Sequence, residues 1–456
     1  MKRREFIIKS SIAGGALLTT PAINSIPGIE KKKAKSVLII GAGFAGLSAA
    51  YQLKKKGIST ILLEARNRIG GRVFSHRPES SKDLVIELGA EWVGNSHERL
   101  IALCKELSLE LQNNQFETHL TRHGNYSKAG TWNGSETMEK FWTDKTALWE
   151  TFSASMKKDF DKMDWWRFLL NQGFTEDDLA LRDLMDSTDF GESIRHTSAY
   201  SAFAEYAESS EKNEMDLKIK GGNAKLAEKL ADQIGRINIL TNHNVVSVKQ
   251  HSRDGVTVQC ENGKTFQADK LICTTPTLSL KKINWTPKLP NIQIEAMNAL
   301  QYARIGKFPL VFSERFWKEE NFDMITDTPA HYFYHGTKNQ EGKKGILIAY
   351  ATGDKVDVLA SSNKTQRDAL ILEALKPAFG DVKKYLEESL MYYWGTDAFS
   401  RGAYAFYGIN QWFGVKPVLK QSYIHTHFAG EHLADWQGFM EGAINTGEEA
   451  VDELIG

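Results

Sequence analysis

Three glycines, Gly41, Gly43 and Gly46, stand at the spacing G-x-G-x-x-G around Phe44 and Ala45, and an acid, Glu64, follows 23 residues after the first. Glycines so placed turn the main chain itself into a binding surface. Gly41 permits a tight turn, Gly43 lets the backbone come up to a pyrophosphate, and Gly46 lets a helix lie close on a strand. The unpaired N–H groups at that helix N-terminus face the phosphates, and the acid is placed to accept hydrogen bonds from ribose hydroxyls. The motif has this meaning only between a strand and a helix. Residues 36–40, Ser-Val-Leu-Ile-Ile, are the unbroken apolar run of a strand buried on both faces of a parallel sheet. From Ala45 to Lys55 the apolar positions recur at helical spacing, and Gly57 can end the helix in the left-handed conformation. Residues 60–64 then read as a second strand that ends on the acid. The pattern predicts a dinucleotide site; NAD and FAD fit it equally.

The rest of the chain narrows the class. Its 456 residues suggest about three domains, or two large intertwined ones. The 57 basic and 57 acidic residues cancel, which argues against nucleic acid as the main partner and against a polybasic grip on membranes. Three cysteines, Cys104, Cys260 and Cys273, cannot build a disulfide scaffold, and none lies in a CxxC pair for zinc or thiol redox chemistry. Residues 36–53 carry no charge, the length at which a membrane span is considered. The glycine pattern and the change from strand to helix periodicity inside that run make it a buried βα unit, so no integral membrane protein is expected. Residues 3–9, Arg-Arg-Glu-Phe-Ile-Ile-Lys, resemble a twin-arginine export signal, and the small, weakly apolar stretch behind them is too short to span a bilayer. Residues 1–30 are accordingly read as a signal segment, with a periplasmic or otherwise exported product; a basic tail is the alternative.

Residues 64–72, Glu-Ala-Arg-Asn-Arg-Ile-Gly-Gly-Arg, choose between the two nucleotides. This stretch resembles the flavin amine oxidase family, the group of monoamine, polyamine and L-amino-acid oxidases, in which it wraps the FAD diphosphate. The resemblance covers nearly all of residues 35–456. It implies an α/β fold with an FAD-binding Rossmann-like (GR2-type) domain and an interleaved α+β substrate domain. The expected division gives residues 35–110, 215–285 and 386–456 to the FAD domain, and 111–214 and 286–385 to the substrate domain. FAD contacts are implied for Glu64, Ala65, Arg66, Gly70, Gly71 and Arg72, whose guanidinium suits phosphate. Residues 87–92 look like the family's strand beside the isoalloxazine, bringing in Gly89, Ala90, Glu91 and Trp92. Val245 matches a residue packing on adenine, and Trp394 belongs to a W…S-x-G-x-Y stretch. Gly430 and Glu431 match the final strand and its diphosphate contact. Phe439, Met440 and Ala443 match a helix start at the pyrimidine edge of the flavin.

Catalytic roles follow from the same resemblance. Lys307, on spacing alone a surface lysine at a strand end, matches the flavin-facing lysine, with Phe316-Trp317 in register. Tyr404 and Phe439 match the two rings that flank the substrate amine; the second ring is a tyrosine in the monoamine oxidases. The cysteine that tethers FAD in the animal enzymes falls on Ala403, so FAD is expected to be noncovalent. The implied activity is oxidation of an amine C–N bond to an imine, hydrolysed afterwards, with O2 or another acceptor taking the electrons and O2 yielding H2O2. No side-chain base is nominated. The arginine that binds the substrate carboxylate in snake-type L-amino-acid oxidases is replaced in its region by Trp92, which lowers an amino-acid substrate, although Arg195 is a conceivable substitute. An L-amino-acid oxidase and a catalytically idle FAD-binding scaffold remain as alternatives, and a homodimer is compatible with the chain. Acids of residues 111–214 are candidates for a polyamine's distal cation, against the plainer reading of solvated helix faces.

Overall fold

A computed structural model describes residues 34–251 and 255–455. The export-signal segment lies outside the described residues. Strand β1, Ser36–Ile40, buries four of its five side chains and runs parallel to β2, Ser59–Leu63. Between them helix α1, Phe44–Lys55, begins directly after Gly43. The sheet is parallel throughout: Thr426–Phe428, Lys270–Cys273, β1, β2 and Ile239–Leu240 lie side by side in that order. Five strands drawn from widely separated parts of the chain therefore make one sheet, and the glycine turn sits at the carboxyl end of its central strand.

Helix α1 buries nine of its twelve residues because it is covered from both sides. Below it, a methyl group on Gly46 would stand 2.0 Å from the carbonyl oxygen of Gly41. Above it lies the C-terminal helix, Met440–Ile455, whose Gly447 is as close: a methyl there would meet the Ala45 carbonyl oxygen at 2.2 Å. Ser48 Oγ donates across this contact to the Ile444 carbonyl at 3.2 Å.

A second, larger sheet is mostly antiparallel. It runs Leu386–Ser389, Ile305–Phe312, Gly345–Thr352, Tyr332–His335, Phe322–Thr326, Glu117–Arg122, Asn125–Ser127. Every residue of Ile305–Phe312 and Gly345–Thr352 is buried, so both faces are covered. The period of two sorts their side chains between two cores. Leu347, Ala349 and Ala351 pack with Ile371, Leu372 and Leu375 of the helix Lys364–Phe379. Ile346, Ile348 and Tyr350 turn to the other face, with Phe190 and Phe203. A four-stranded sheet carrying Val245–His251 completes the framework.

Two local expectations are corrected. Of the stretch 87–92 only Glu87 lies in a strand, the two-residue Ile86–Glu87. Beyond it the pairing thins to single main-chain bonds, Leu88 N–H to the Phe74 carbonyl at 2.8 Å and Ala90 N–H to the Arg72 carbonyl at 3.1 Å, and only a glycine fits between them, since a methyl on Gly89 would come to 2.0 Å from the Arg72 carbonyl. Leu386–Ser389 and Tyr392–Tyr393, assigned from sequence to the nucleotide portion, pair with Ile305–Phe312 in the larger sheet. Among the described residues no helix is long and apolar enough to cross a membrane.

The contact of α1 with the last helix has a measurable consequence. Gly447→Ala forces a methyl against backbone that cannot swing aside, and overpacking of this kind costs ~1–3 kcal/mol. Chemical denaturation should show that loss; a variant as stable as the parent would mean that the two helices can separate freely.

Candidate active site

A cavity of about 450 Å³ reaches from the Gly41 turn to a cluster of aromatic rings on the larger sheet. At the turn, Gly41 adopts φ +103°, a region L side chains rarely enter. A methyl on Gly43 would just touch the main chain of Gly70 and Gly71, at 3.9–4.0 Å, and the residue lines the cavity. Gly46 does not line it; its role is the close helix–strand contact described above. Glu64 is buried and accepts the N–H groups of Ala42 and Arg66, each at 2.8 Å, which fixes the carboxylate beneath the turn. Phe44, Ala45 and Ala65 lie on the same wall, and Val245 borders it from the four-stranded sheet.

Gly70 and Gly71, both at positive φ, bring a second loop against Gly43. The arginines beside them are held by acids from the far end of the chain. Arg72 Nη1 donates to Glu431 at 2.6 Å and to the Ala403 carbonyl at 2.8 Å. Arg66 pairs with Asp397 and donates to Ser400 Oγ at 2.7 Å. Glu431 also accepts the Gly438 N–H at 2.9 Å, and Gly430, at φ +137°, completes this stretch of wall. The glycine turn on the cavity wall, the enclosed carboxylate and the arginine-bearing loop fit the pyrophosphate and ribose of a flavin dinucleotide.

The aromatic end is built on Lys307. Ile305 and Lys307 share a face of their strand, and Lys307 is 2% exposed rather than at the surface. Its ammonium donates to the carbonyls of Glu87 (3.1 Å) and Gly89 (2.8 Å) and to Glu91 Oε2 (3.3 Å). All three of its N–H bonds are thus accounted for within the protein. Glu91 accepts further from Tyr334 Oη at 2.9 Å and Lys218 Nζ at 3.4 Å. Burial works to discharge the Lys307 ammonium and lowers its pKa, while Glu91 and Glu87 oppose the shift. Burial, reinforced by Glu91, pushes Glu87 up to about 7. Breaking such a buried pair on one side costs ~3–5 kcal/mol, because an uncompensated charge is left behind.

Rings wall the space in front of this lysine. Trp92 packs against Tyr334 (5.3 Å between centroids), Tyr350 (6.1 Å) and Tyr332 (6.4 Å). Tyr404 donates to the Asp189 carbonyl at 2.6 Å and its hydroxyl lies 3.3 Å from that of Tyr350. Gly438, at φ +85°, leaves room for the Tyr404 ring, which a methyl there would approach to 3.4 Å. Next to it, Phe439 is held edge-on by His97 (5.1 Å) and Trp436 (5.8 Å). His97 Nδ1 accepts the Gly94 N–H at 2.9 Å, which assigns its proton to Nε2, facing Glu214 at 3.5 Å. Burial takes the imidazole down to about 3, so it stays neutral. Ala90, Trp394, Met440 and Ala443 complete the wall, with Trp394 Nε1 anchored on the Leu88 carbonyl at 2.8 Å.

Every residue assigned from sequence to FAD or to catalysis, except Gly46, therefore borders one cavity. Tyr332, Tyr350, Asp189, Glu205 and Gln437 also border it and were not named. The two tyrosines reach the cavity from the strands Tyr332–His335 and Gly345–Thr352. Asp189 sits near the end of a helix, Glu176–Phe190, crowded with acids, where nothing local separates a cavity-facing carboxylate from a solvated one.

Comparison with known proteins agrees with this geometry. Residues 44–455 match the family model of flavin containing amine oxidoreductases. Amine oxidase [flavin-containing] B of Homo sapiens is 26% identical over 471 residues, covering 92% of this chain and 86% of its own. The amine oxidase of Oncorhynchus mykiss is 27% identical over 468 residues, with 92% and 85% covered. Cyclohexylamine oxidase from Brevibacterium oxydans superposes with a TM-score of 0.81 at 21% identity, over 92% of this chain and 99% of that one. Putrescine oxidase bound to putrescine gives 0.81 at 23%, with the same coverage. With a glycine turn at one end of its cavity, a buried lysine among rings at the other, and a family match across nearly its whole length, the chain belongs to the flavin-containing amine oxidoreductases.

Proposed function

We propose that this protein binds FAD noncovalently and oxidises the C–N bond of an amine to an imine, with O2 as electron acceptor and H2O2 as product. The observation that carries the reading is the single cavity that joins the Gly41–Gly43 turn to Lys307, Tyr404 and Phe439. When bound, FAD supplies the chemistry: it takes a hydride equivalent from the carbon next to nitrogen and hands the electrons on. The protein's part is position and field. Tyr404 and Phe439 present ring faces to a substrate nitrogen, worth about 0.5–2 kcal/mol in cation–π terms. Trp92, Tyr332 and Tyr350 exclude water from the space in front of them. Lys307, held at three acceptors, is a fixed positive charge that needs no reorganisation during reaction.

Noncovalent binding is supported by Ala403, which lines the cavity and has no thiol, and by Cys104, Cys260 and Cys273, which are buried away from its walls. An amine is favoured over an amino acid by the cations available. Of those lining the cavity, Arg66, Arg72 and Lys307 are paired with Asp397, Glu431 and Glu91, and Lys282 is exposed. Arg195, the conceivable carboxylate partner, is exposed and stacks on Trp166 at 3.4 Å, outside the cavity walls. The names of the human relative and of the cyclohexylamine oxidase neighbour point the same way. Export through the Arg3-Arg4 segment is part of the same proposal.

Three measurements test it. Purified protein should be yellow, bleach anaerobically with at least one simple amine, and release all its flavin on acid precipitation; amines, amino acids and polyamines all failing to bleach it would favour the scaffold reading, and colour kept in the pellet would reject noncovalent binding. Lys307→Met should slow reoxidation of the reduced flavin by O2 on the order of a hundredfold, with much less effect on reduction by substrate. Equal losses in the two half-reactions would remove the role given to this lysine. Replacing both Arg3 and Arg4 by Lys should leave the folded protein inside the cell, and unchanged export would refute the signal.

A further inference from the structure

Asp189 is a carboxylate on the cavity wall with half of its hydrogen-bonding capacity unused. Its Oδ2 accepts from Tyr206 Oη at 2.7 Å and from Asn213 Nδ2 at 2.8 Å. Its Oδ1 receives no hydrogen bond among the described residues, yet the side chain borders the cavity. The carboxylate is also fixed from behind, since its own main-chain carbonyl accepts from Tyr404. That bond puts Asp189 at the hydroxyl end of the ring whose face is offered to the substrate nitrogen. Tyr332 and Tyr350 wall the same space, and Glu205 stands nearby, with Gln437 Nε2 donating to it at 3.3 Å. Among the described residues no cation pairs with Oδ1. Arg182 lies behind Asp189, but its guanidinium is paired with Asp186 and spread over the Trp142 ring at 3.5 Å. An enclosed carboxylate facing aromatic walls is stable only when a positive group meets it or a proton neutralises it.

We propose that Asp189 is a specificity-determining residue that receives a second cationic group of the substrate, so that the preferred amine is one bearing another ammonium or guanidinium about a tyrosine ring's length from the reacting nitrogen. This rests on the amine-oxidase reading above and narrows it. A monoamine leaves Asp189 unmet in the cavity. A dication brings the missing donor to Oδ1 and gains cation–π contact with Tyr332 and Tyr350 on the way.

The groups around Asp189 also give the preference a pH dependence. Burial pushes its carboxyl up to about 7, against the Tyr206 and Asn213 hydrogen bonds and the pull of Arg182, with Asp186 adding to the rise. Tyr332, Tyr350 and Tyr404 face it as neutral phenols, all raised by burial. In the free enzyme Asp189 is therefore a carboxylate above that pH and a neutral acid below it, and the attraction for a second cation grows as pH rises through about 7.

The test uses holoenzyme and a series of short α,ω-diamines, each paired with the n-alkylamine that carries a methyl in place of the second amine. Wild type should show kcat/KM at least about tenfold higher for the best diamine than for its partner, the size of one charge-assisted hydrogen bond. The ratio should fall below pH 7, and Asp189→Asn should bring it close to one. Binding of a diamine that is not turned over, read from perturbation of the flavin spectrum, should weaken in the same variant. Should Asp189→Asn fail to fold, the pH dependence of the wild-type ratio decides alone. Anaerobic bleaching by monoamines and diamines with equal efficiency, at every pH, overturns the second-cation site while leaving amine oxidation intact. No bleaching by any amine overturns the parent reading instead.

Discussion

The structure depends on a contact made at backbone distance. Helix α1 is clamped between the Gly41 carbonyl on one side and Gly447 on the other, with no room for a methyl group at either Gly46 or Gly447. Dispersion and hydrogen bonding at such a distance fix the helix to within a few tenths of an ångström. The same clamp carries the start of the last helix, with Phe439 and Met440, to the cavity that begins at the glycine turn. Nucleotide end and aromatic end thus share one rigid reference, although hundreds of residues separate them in sequence.

From that reference the electrostatics follow. The arginines of the 66–72 loop are neutralised by Asp397 and Glu431 from the far part of the chain. Lys307 is neutralised by Glu91. Three of the cations lining the cavity are thus already paired, whereas Lys282 is exposed. On the reading proposed above, such a pocket has little to offer a carboxylate and a spare acid for a cation.

Much of this was legible in the sequence where the signal is short-range. The strand–turn–helix around Gly41 announces itself by periodicity, and Gly41, Gly43 and Gly46 by the steric roles only glycine fills. Gly89–Trp92 is strand only by resemblance; its main chain makes isolated bonds, such as Ala90 N–H to the Arg72 carbonyl, in place of a continuous ladder. Lys307 was no more than a strand-end lysine on spacing, since burial of a charge is decided by Glu91 and two carbonyls that no local window contains. The acid at 189 failed to stand out for the same reason: the helix that bears it is acidic on both its wet and its dry faces.

The walls of the cavity are contributed by residues from Ile40 to Ala443. While the polypeptide is still being synthesised, the early βα unit can form its turn but has no opposing wall, because Gly430, Glu431, Phe439 and Met440 have yet to emerge. Acquisition of the coenzyme therefore waits until these late residues have folded back onto the early βα unit, and the order of assembly is written into the connectivity rather than left to chance encounter.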